Sequence, residues 1–326
     1  MKAVQLNRFG GPDVLEIVDV PTPEPGQDEV LVRIHAAGVN FFEVLMRADR
    51  YAVTPELPMI PGVEVAGVVE QVGPGADETL LGARVAVPLF AIGISSGGYA
   101  EFIAVDGASV TRLPDGLSFE DAVALMVQGL TAFHLVRRSV PKGKSVMVNA
   151  AAGGVGSLLV QLAKDAGARR VIGAAGSQEK AALVLSLGAD AVVDYSRPDW
   201  VDRVREASEG QGVDIVYETI GGSMSKASLT ALAPCGELVF AALGRFELEK
   251  AELERMISGN QSLKGFALLP LLQGEEMAKS LGSLFEMAAS GRLKILRGGR
   301  YRLQEAALAH DALECRRTIG KVVLVP

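Results

Sequence analysis

The segment NAAAGGVGSLLVQLAK (149–164) concentrates small residues at one corner of the chain. Ala151, Gly153 and Gly156 stand at the spacing of the G-x-G-x-x-G fingerprint, with alanine in the first place. The chemistry such a corner serves is anion holding. A side chain at position 153 would block the approach of a pyrophosphate, and a glycine at 156 lets the following helix pack on the strand before it. The open N–H groups of Gly154, Val155 and Gly156, with the positive end of the helix dipole, then hold the phosphates. A competing reading is a tight turn whose small residues serve packing alone. About 20 residues on, a chain that binds a free ribose 2′-hydroxyl carries an acid. Here Ala174, Ala175 and Gly176 stand at that place, followed by Ser177 and Lys180. A hydroxyl and a cation suit a 2′-phosphate, so NADPH is the expected cofactor. Lys180 as a solvated helix residue is the competing reading.

These residues need a strand to end and a helix to begin around them. SVMVNA (145–150) is an apolar strand, and the stretch from 153 sets Val155, Leu158, Leu159 and Leu162 on one helical face. RVIGAAG, ADAVVDY, VDIVYETIGG and GELVFAAL (236–243) read as further strands, separated by helical stretches. Pro198 suits the first turn of one such helix. Repeated strand–helix units imply a Rossmann-type, doubly wound parallel sheet, with GELVFAAL as its sixth strand if SLKGFAL (262–268) follows as its neighbour or continues past it. The first 120 residues differ. DEVLVRIHAAGVN, PGVEVAGVVEQVGPG, GARVAV and GGYAEFIAV are short strands between turn residues, the pattern of a compact antiparallel barrel. Ser118 is placed to cap a helix with Asp121 at its third position. The terminal GKVVLVP is a strand with no helix after it, expected to return to the first domain. The fold class is therefore α/β. Residues 1–120 completed by 294–326 form one domain, and residues 121–293 the dinucleotide-binding domain.

Bulk properties agree. The chain has 326 residues, 49% of them apolar, and a net charge of -7. That size suits about two domains, and the acidic balance argues against nucleic acid or an anionic membrane as partner. No signal peptide or membrane span is apparent. Cys235 and Cys315 make neither a disulfide framework nor a four-cysteine metal cluster, so a cytoplasmic location is expected. Cys235 reads as a small buried residue. His35, His134 and His310 are too dispersed for a ligand set and read as structural or exposed.

The most specific segment, AAGGVGSLLVQLAK, resembles the zinc-independent quinone oxidoreductases (zeta-crystallin-like) of the medium-chain dehydrogenase/reductase superfamily. AAGVNFFEVLMRADRY, PGVEVAGVVEQVGPG, GGYAEF, GLTAFHLV, VDIVYETIGG and GKVVLVP extend the resemblance over essentially the whole chain, in the same order. It implies a GroES-like barrel completed by the C-terminal strand, a Rossmann domain, and an active site in the cleft. It also implies hydride transfer from NADPH to a quinone or other conjugated carbonyl. The zinc-dependent relatives use a Cys and a His where Asn40 and Val63 stand here, so no metal is expected.

Hydride acceptance places negative charge on oxygen, which needs donors. In the resemblance's pattern N-x2-E-x3-R-x3-Y these are Asn40, Arg47 and Tyr51. Their competing readings are a turn residue, an exposed helix residue and a tyrosine at the cleft rim. Several family members carry a tyrosine where Leu45 stands, and most carry Asp where Glu43 stands. The resemblance further implies cofactor contacts at Asn40, Thr131, Tyr195, Thr219, Ile220, Gly221, Ala241, Ala242, Leu243, Phe266 and Arg316. It implies a homodimer through the sheet edge near LKGFALLPLL (263–272). Two alternatives are a 2-enoyl-thioester or alkenal reductase, and an NADPH-binding structural or regulatory protein with little turnover.

Overall fold

The computed structural model describes all 326 residues. They form two units, Met1–Leu130 with Leu272–Pro326, and Thr131–Leu271. The sequence reading set these boundaries at 120/121 and 293/294. The difference has a packing cause. Helix Phe119–Ala124, capped by Ser118 through the Asp121 N–H at 3.0 Å, packs on strand Glu29–Val39 of the first unit. Helix Glu276–Ala289 packs on the π-helical turn Leu125–Gly129 that follows.

The first unit is built on a seven-stranded sheet and a separate hairpin of Lys2–Leu6 with Leu15–Asp19. Its centre is the long strand Glu29–Val39, which pairs antiparallel with Val65–Val72, Phe102–Asp106 and Lys321–Val325. The C-terminal strand thus returns to the first unit, as its sequence implied. Every residue of Lys321–Val325 is buried, Lys321 included. The sheet is not wholly antiparallel, because Arg297–Arg302 runs parallel to Lys321–Val325. Helix Ala306–Glu314 between these two strands makes the parallel crossover possible. Val30, Val32, Ile34, Val65, Val85, Leu89, Tyr99 and Leu324 belong to one core cluster.

The second unit is a six-stranded parallel sheet. Its order is Ala191–Asp194, Arg170–Ala175, Ser145–Val148, Val213–Glu218, Leu232–Phe240, Ser262–Gly265. This is the doubly wound order 3-2-1-4-5-6. The strand containing GELVF is the fifth and not the sixth. Ser262–Gly265 takes the edge. Met147, Ile172, Val216 and Leu238 fill the core with Trp200, Val204 and Leu229 from the covering helices. Both faces of the sheet are covered, which is why its strands read as nearly continuous apolar runs.

Two local readings are corrected. Pro198 precedes the helix cap Asp199, so it stands outside the first turn of Trp200–Ala207. Cys235 is exposed, with φ 62° in the left-handed region at a break in strand register. The strand bulges there, and the Pro234–Cys235 pair is pushed out to solvent. Residues Phe119–Arg138 are as long and apolar as a membrane span, but 61% of that stretch is buried in the fold, as in a core helix.

Candidate functional site

In a 3-2-1-4-5-6 sheet the ligand crevice opens at the carboxyl ends of strands 1 and 4, where the chain order reverses. Strand 1 here is Ser145–Val148 and strand 4 is Val213–Glu218. After strand 1 the chain turns through Ala150 at φ 47° into Gly153, which caps helix Gly154–Asp165. A Cβ on Gly156 would collide with the Ala150 carbonyl oxygen and stand 2.8 Å from Ala151 Cα. Only glycine lets the helix begin this close to the strand. The Ser157 N–H bonds back to the Gly153 carbonyl at 2.9 Å. That leaves Gly154, Val155 and Gly156 with first-turn N–H groups that have no acceptor in the helix.

A buried network that sequence reading missed ties strands 1 and 4 together at this point. Asn149 Nδ2 donates to Glu218 Oε2 at 2.6 Å and to Ser228 Oγ at 2.9 Å. Glu218 Oε1 accepts the N–H of Gly221 at 2.9 Å and of Ile220 at 2.5 Å. Burial raises the Glu218 carboxyl above its ordinary range, against these hydrogen bonds. The network holds loop 219–221, and the Ala241 N–H donates to the Glu218 carbonyl at 2.8 Å. Thr219, Ile220, Gly221, Ala241 and Ala242 are therefore brought to one rim. Leu243 beside them is 58% exposed.

The end of strand 2 supplies the other predicted group. A Cβ at Gly176 would meet the Tyr195 hydroxyl at 3.0 Å, so Tyr195 lies over the strand end. Ser177 caps helix Gln178–Ser186, its hydroxyl oxygen accepting the Lys180 N–H at 3.2 Å. Gly176, Ser177, Lys180 and Tyr195 form one cluster without an acid at 174–176. Thr131 and Phe266, both half-buried, are in the same unit, and the Phe266 N–H bonds to the Phe240 carbonyl at 2.9 Å. Arg316 is exposed, in the first unit, with φ 56°.

The first unit holds a second polar centre. Asn40 is 3% exposed at the start of helix Phe41–Arg47. Its N–H donates to Glu43 Oε2 at 2.7 Å, which fixes the helix entry. Its side chain is held at both ends. Asn40 Nδ2 donates to Glu64 Oε1 at 2.8 Å, and Lys321 Nζ donates to Asn40 Oδ1 at 2.9 Å. Lys321 and Glu64 form an ion pair, 2% and 0% exposed, and Glu64 Oε2 accepts the Val127 N–H at 2.7 Å. Val63 beside it is buried. Glu64 is thus committed to an ammonium, an amide and a backbone N–H.

Arg47 is not the exposed helix residue of its competing reading. It is 2% exposed and paired with Glu314 at 2.5 Å. Tyr51 is half-buried with its ring 5.5 Å from that of Phe42, and burial pushes its hydroxyl pKa up. Tyr99 and His310 join the centre unforeseen. The Tyr99 hydroxyl lies 3.2 Å from Glu43 Oε2 and 3.1 Å from His310 Nε2. A lysine inside an apolar strand was the one available signal for Lys321.

Burial sets the acid–base character here. Desolvation raises Glu43 to about 7 from 4.5, and desolvation with the nearby Arg47 lowers His310 to about 3 from 6.5. A raised carboxyl binds more protons folded than unfolded. Its stabilising contribution is full below about 4.5 and is lost as pH rises through about 7, a change of roughly 3 kcal/mol. His310 acts in the opposite sense, its contribution present above 6.5 and lost as pH falls toward 3. Urea unfolding of Glu43→Gln at pH 5 and pH 8 isolates the first effect. The variant is expected to gain on the wild type by roughly 3 kcal/mol between the two. A gap that does not change with pH contradicts the raised carboxyl.

Residues 154–284 match the zinc-binding dehydrogenase family and residues 26–115 the alcohol dehydrogenase GroES-like domain. The quinone oxidoreductase of Salmonella typhimurium is 35% identical over 332 residues, 99% of each chain. The Escherichia coli quinone oxidoreductase crystallised with NADPH superposes with a TM-score of 0.90 at 30% identity, covering 100% of both chains. A mycobacterial protein crystallised with NADPH gives 0.88 at 37%, also over both whole chains. Full-length similarity at this level, on a Rossmann sheet and a GroES-like unit, places the chain in the zinc-independent quinone oxidoreductase family of the medium-chain dehydrogenase/reductase superfamily.

Proposed function

We propose that the chain is an NADPH-dependent oxidoreductase that transfers hydride to a quinone or another conjugated carbonyl, without a metal. NADPH dependence and quinone reduction are the activity of the family to which the chain belongs. The observation that carries the reading is the crevice at strands 1 and 4. Its glycine cradle has no room for a Cβ at Gly156, and its strand 2 ends in Gly176, Ser177 and Lys180 instead of an acid. The residues fit the cofactor. Gly154, Val155 and Gly156 hold the pyrophosphate on N–H groups, with Ala151 and Gly153 giving it room. Ser177, Lys180 and Tyr195 hold the 2′-phosphate end. Thr131, Thr219, Ile220, Gly221, Ala241, Ala242, Leu243 and Phe266 complete the contacts from the same unit, and Asn40 and Arg316 of the first unit are cofactor contacts by the family resemblance alone. When bound, the nicotinamide supplies the hydride.

Asn40 is the donor for charge that develops on the acceptor oxygen, and Tyr51 is a second donor. Arg47 is tied to Glu314 through Nη2 alone, with Nε and Nη1 buried and unpaired, and acts on the site through the helix it anchors. Glu64 is neutralised by Lys321, so the pair beside Asn40 carries no net charge. The 2-enoyl-thioester and low-turnover readings lack an equivalent observation.

Oxidation of NADPH against a panel of quinones, alkenals and enoyl thioesters tests the reading, with quinones expected to react fastest. In the same assay Lys180→Ala is expected to weaken NADPH by about 10–150-fold, the worth of one charge-assisted contact. NADH is expected to change little. Equal losses for both cofactors would remove the phosphate from Lys180.

The acidic, well-buried chain with two exposed free cysteines suits the cytoplasm. The edge strand Ser262–Gly265 pairs on one side only. An open edge followed by half-exposed Leu268 and Leu269 favours pairing with a second copy across a two-fold axis. Light scattering is expected to give about twice 34.2 kDa, and Leu268→Asp to shift it toward monomer. A wild-type monomer at micromolar concentration rejects the dimer.

A further inference from the structure

We propose that Lys321 is a positioning residue for the reduction, setting the Asn40 amide so that its NH2 group faces the reaction as a donor. The inference rests on the role given to Asn40 above. A side-chain amide has one acceptor oxygen and two N–H donors, and rotation by 180° exchanges them. Lys321 Nζ can only donate, and it lies 2.9 Å from Asn40 Oδ1. Glu64 Oε1 can only accept when ionised, and it lies 2.8 Å from Asn40 Nδ2. The two ends therefore specify one orientation. The flipped amide would set N–H against ammonium and oxygen against carboxylate. In the specified orientation one amide hydrogen is bound to Glu64 and the other is left to donate.

The cation does a second thing. Withdrawal of electron density at Oδ1 by Lys321 makes the amide N–H groups better donors, and burial on both sides strengthens the effect. The arrangement is built with little slack. Lys321 comes from a strand otherwise made of Val and Leu. A Cβ on Gly38 would stand 2.8 Å from Glu64 Cδ and Cγ, so glycine is needed for the carboxylate to reach the amide. The Val127 N–H fixes the other carboxylate oxygen at 2.7 Å. The Lys321 N–H itself is held by the Leu296 carbonyl at 2.8 Å. A buried ion pair is a poor source of stability, so its value is better sought in what it orients.

The test uses the full-length protein as Lys321→Met, Lys321→Arg and the double variant Lys321→Met with Glu64→Gln. The chain has four asparagines, Asn7, Asn40, Asn149 and Asn260. Asparagine labelled with 15N therefore gives a sparse side-chain amide spectrum, with the Asn40 pair assigned by its loss in Asn40→Asp. In Lys321→Met the Asn40 pair is expected to shift or broaden, and in Lys321→Arg to return toward the wild-type position. With NADPH and a quinone, kcat is expected to fall about 10–100-fold in Lys321→Met. NADPH affinity is expected to stay within about 3-fold and Lys321→Arg to recover most of the rate. The double variant leaves no unpaired buried charge, so it keeps its fold while the rate stays low. An unmoved Asn40 resonance in Lys321→Met overturns the proposal. So does a double variant that regains wild-type kcat, since the loss would then stem from the stranded Glu64 charge. A wild type that oxidises NADPH with none of the quinones, alkenals or enoyl thioesters defeats the reductase reading instead, and the resonance still decides whether Lys321 sets the Asn40 amide.

Discussion

Gly156→Ala is expected to raise the dissociation constant for NADPH about 100-fold, the effect of a single added methyl group. A Cβ at this position would collide with the Ala150 carbonyl oxygen and stand 2.8 Å from Ala151 Cα. Neither neighbour is a flexible side chain that could swing aside. Carbon atoms in contact prefer about 3.5–4.0 Å, so the helix start must retreat from strand 1 by roughly 0.7–1 Å. The N–H groups of Gly154, Val155 and Gly156 move with it, away from the phosphates they are placed to hold. Each N–H bond to a charged phosphate is worth about 1.5–3 kcal/mol, so weakening them costs on the order of 100-fold, near 2.7 kcal/mol in binding. Gly282→Ala is the control. It lies inside helix Glu276–Ala289 with nothing within 4 Å of an added Cβ. There the methyl is expected to stabilise the fold by about 0.8–1.0 kcal/mol and leave NADPH binding alone. Fluorescence titration with NADPH and urea unfolding give both results. Unchanged NADPH affinity in Gly156→Ala would mean that the helix start does not hold the pyrophosphate.

What the sequence made legible follows from how local each signal is. The glycine corner, the strand before it and the helix after it lie within about 20 residues, and their pattern has one good structural solution. The missing acid at 174–176 was legible for the same reason. The C-terminal strand could be recognised as a strand, but its partner Glu29–Val39 is far away in the chain. Its return to the first unit was inferred from the lack of a following helix. The polar centre around Asn40 was hidden by distance. Lys321 and Glu64 are 257 positions apart, Tyr99 and His310 are 211, and Arg47 and Glu314 are 267. No periodicity links such pairs, and only Lys321, inside an apolar strand, stands out by itself. Arg47 shows the consequence. At the end of the short helix Phe41–Arg47 it has the pattern of a solvated charge, yet it is 2% exposed. Cys235 failed in reverse. Its neighbours are apolar, and only the register break in the strand turns it outward.

Asn40→Ala is expected to lower kcat by about 100–1,000-fold, with NADPH affinity reduced less than about 10-fold. Removing one donor from an oxyanion site costs this much in other enzymes, because the donor acts where charge appears in the transition state and not in the ground state. The alanine also removes an acceptor for Lys321 and a donor to Glu64. Those two groups keep each other as partners, so the fold is expected to lose only about 1–3 kcal/mol, the cost of unmade buried hydrogen bonds. Asn40→Asp separates the two effects. An ionised aspartate accepts from Lys321 as the amide oxygen does, but it offers no N–H and sets a carboxylate against Glu64. Its kcat is expected to be at least as low as that of Asn40→Ala. Asn40→Gln keeps the amide on a longer arm and is expected to recover part of the rate. Single-turnover NADPH oxidation with a quinone, beside NADPH titration, gives the measurement. A kcat within 10-fold of wild type in Asn40→Ala would move the oxyanion donor elsewhere, with the Tyr51 hydroxyl the next group to remove.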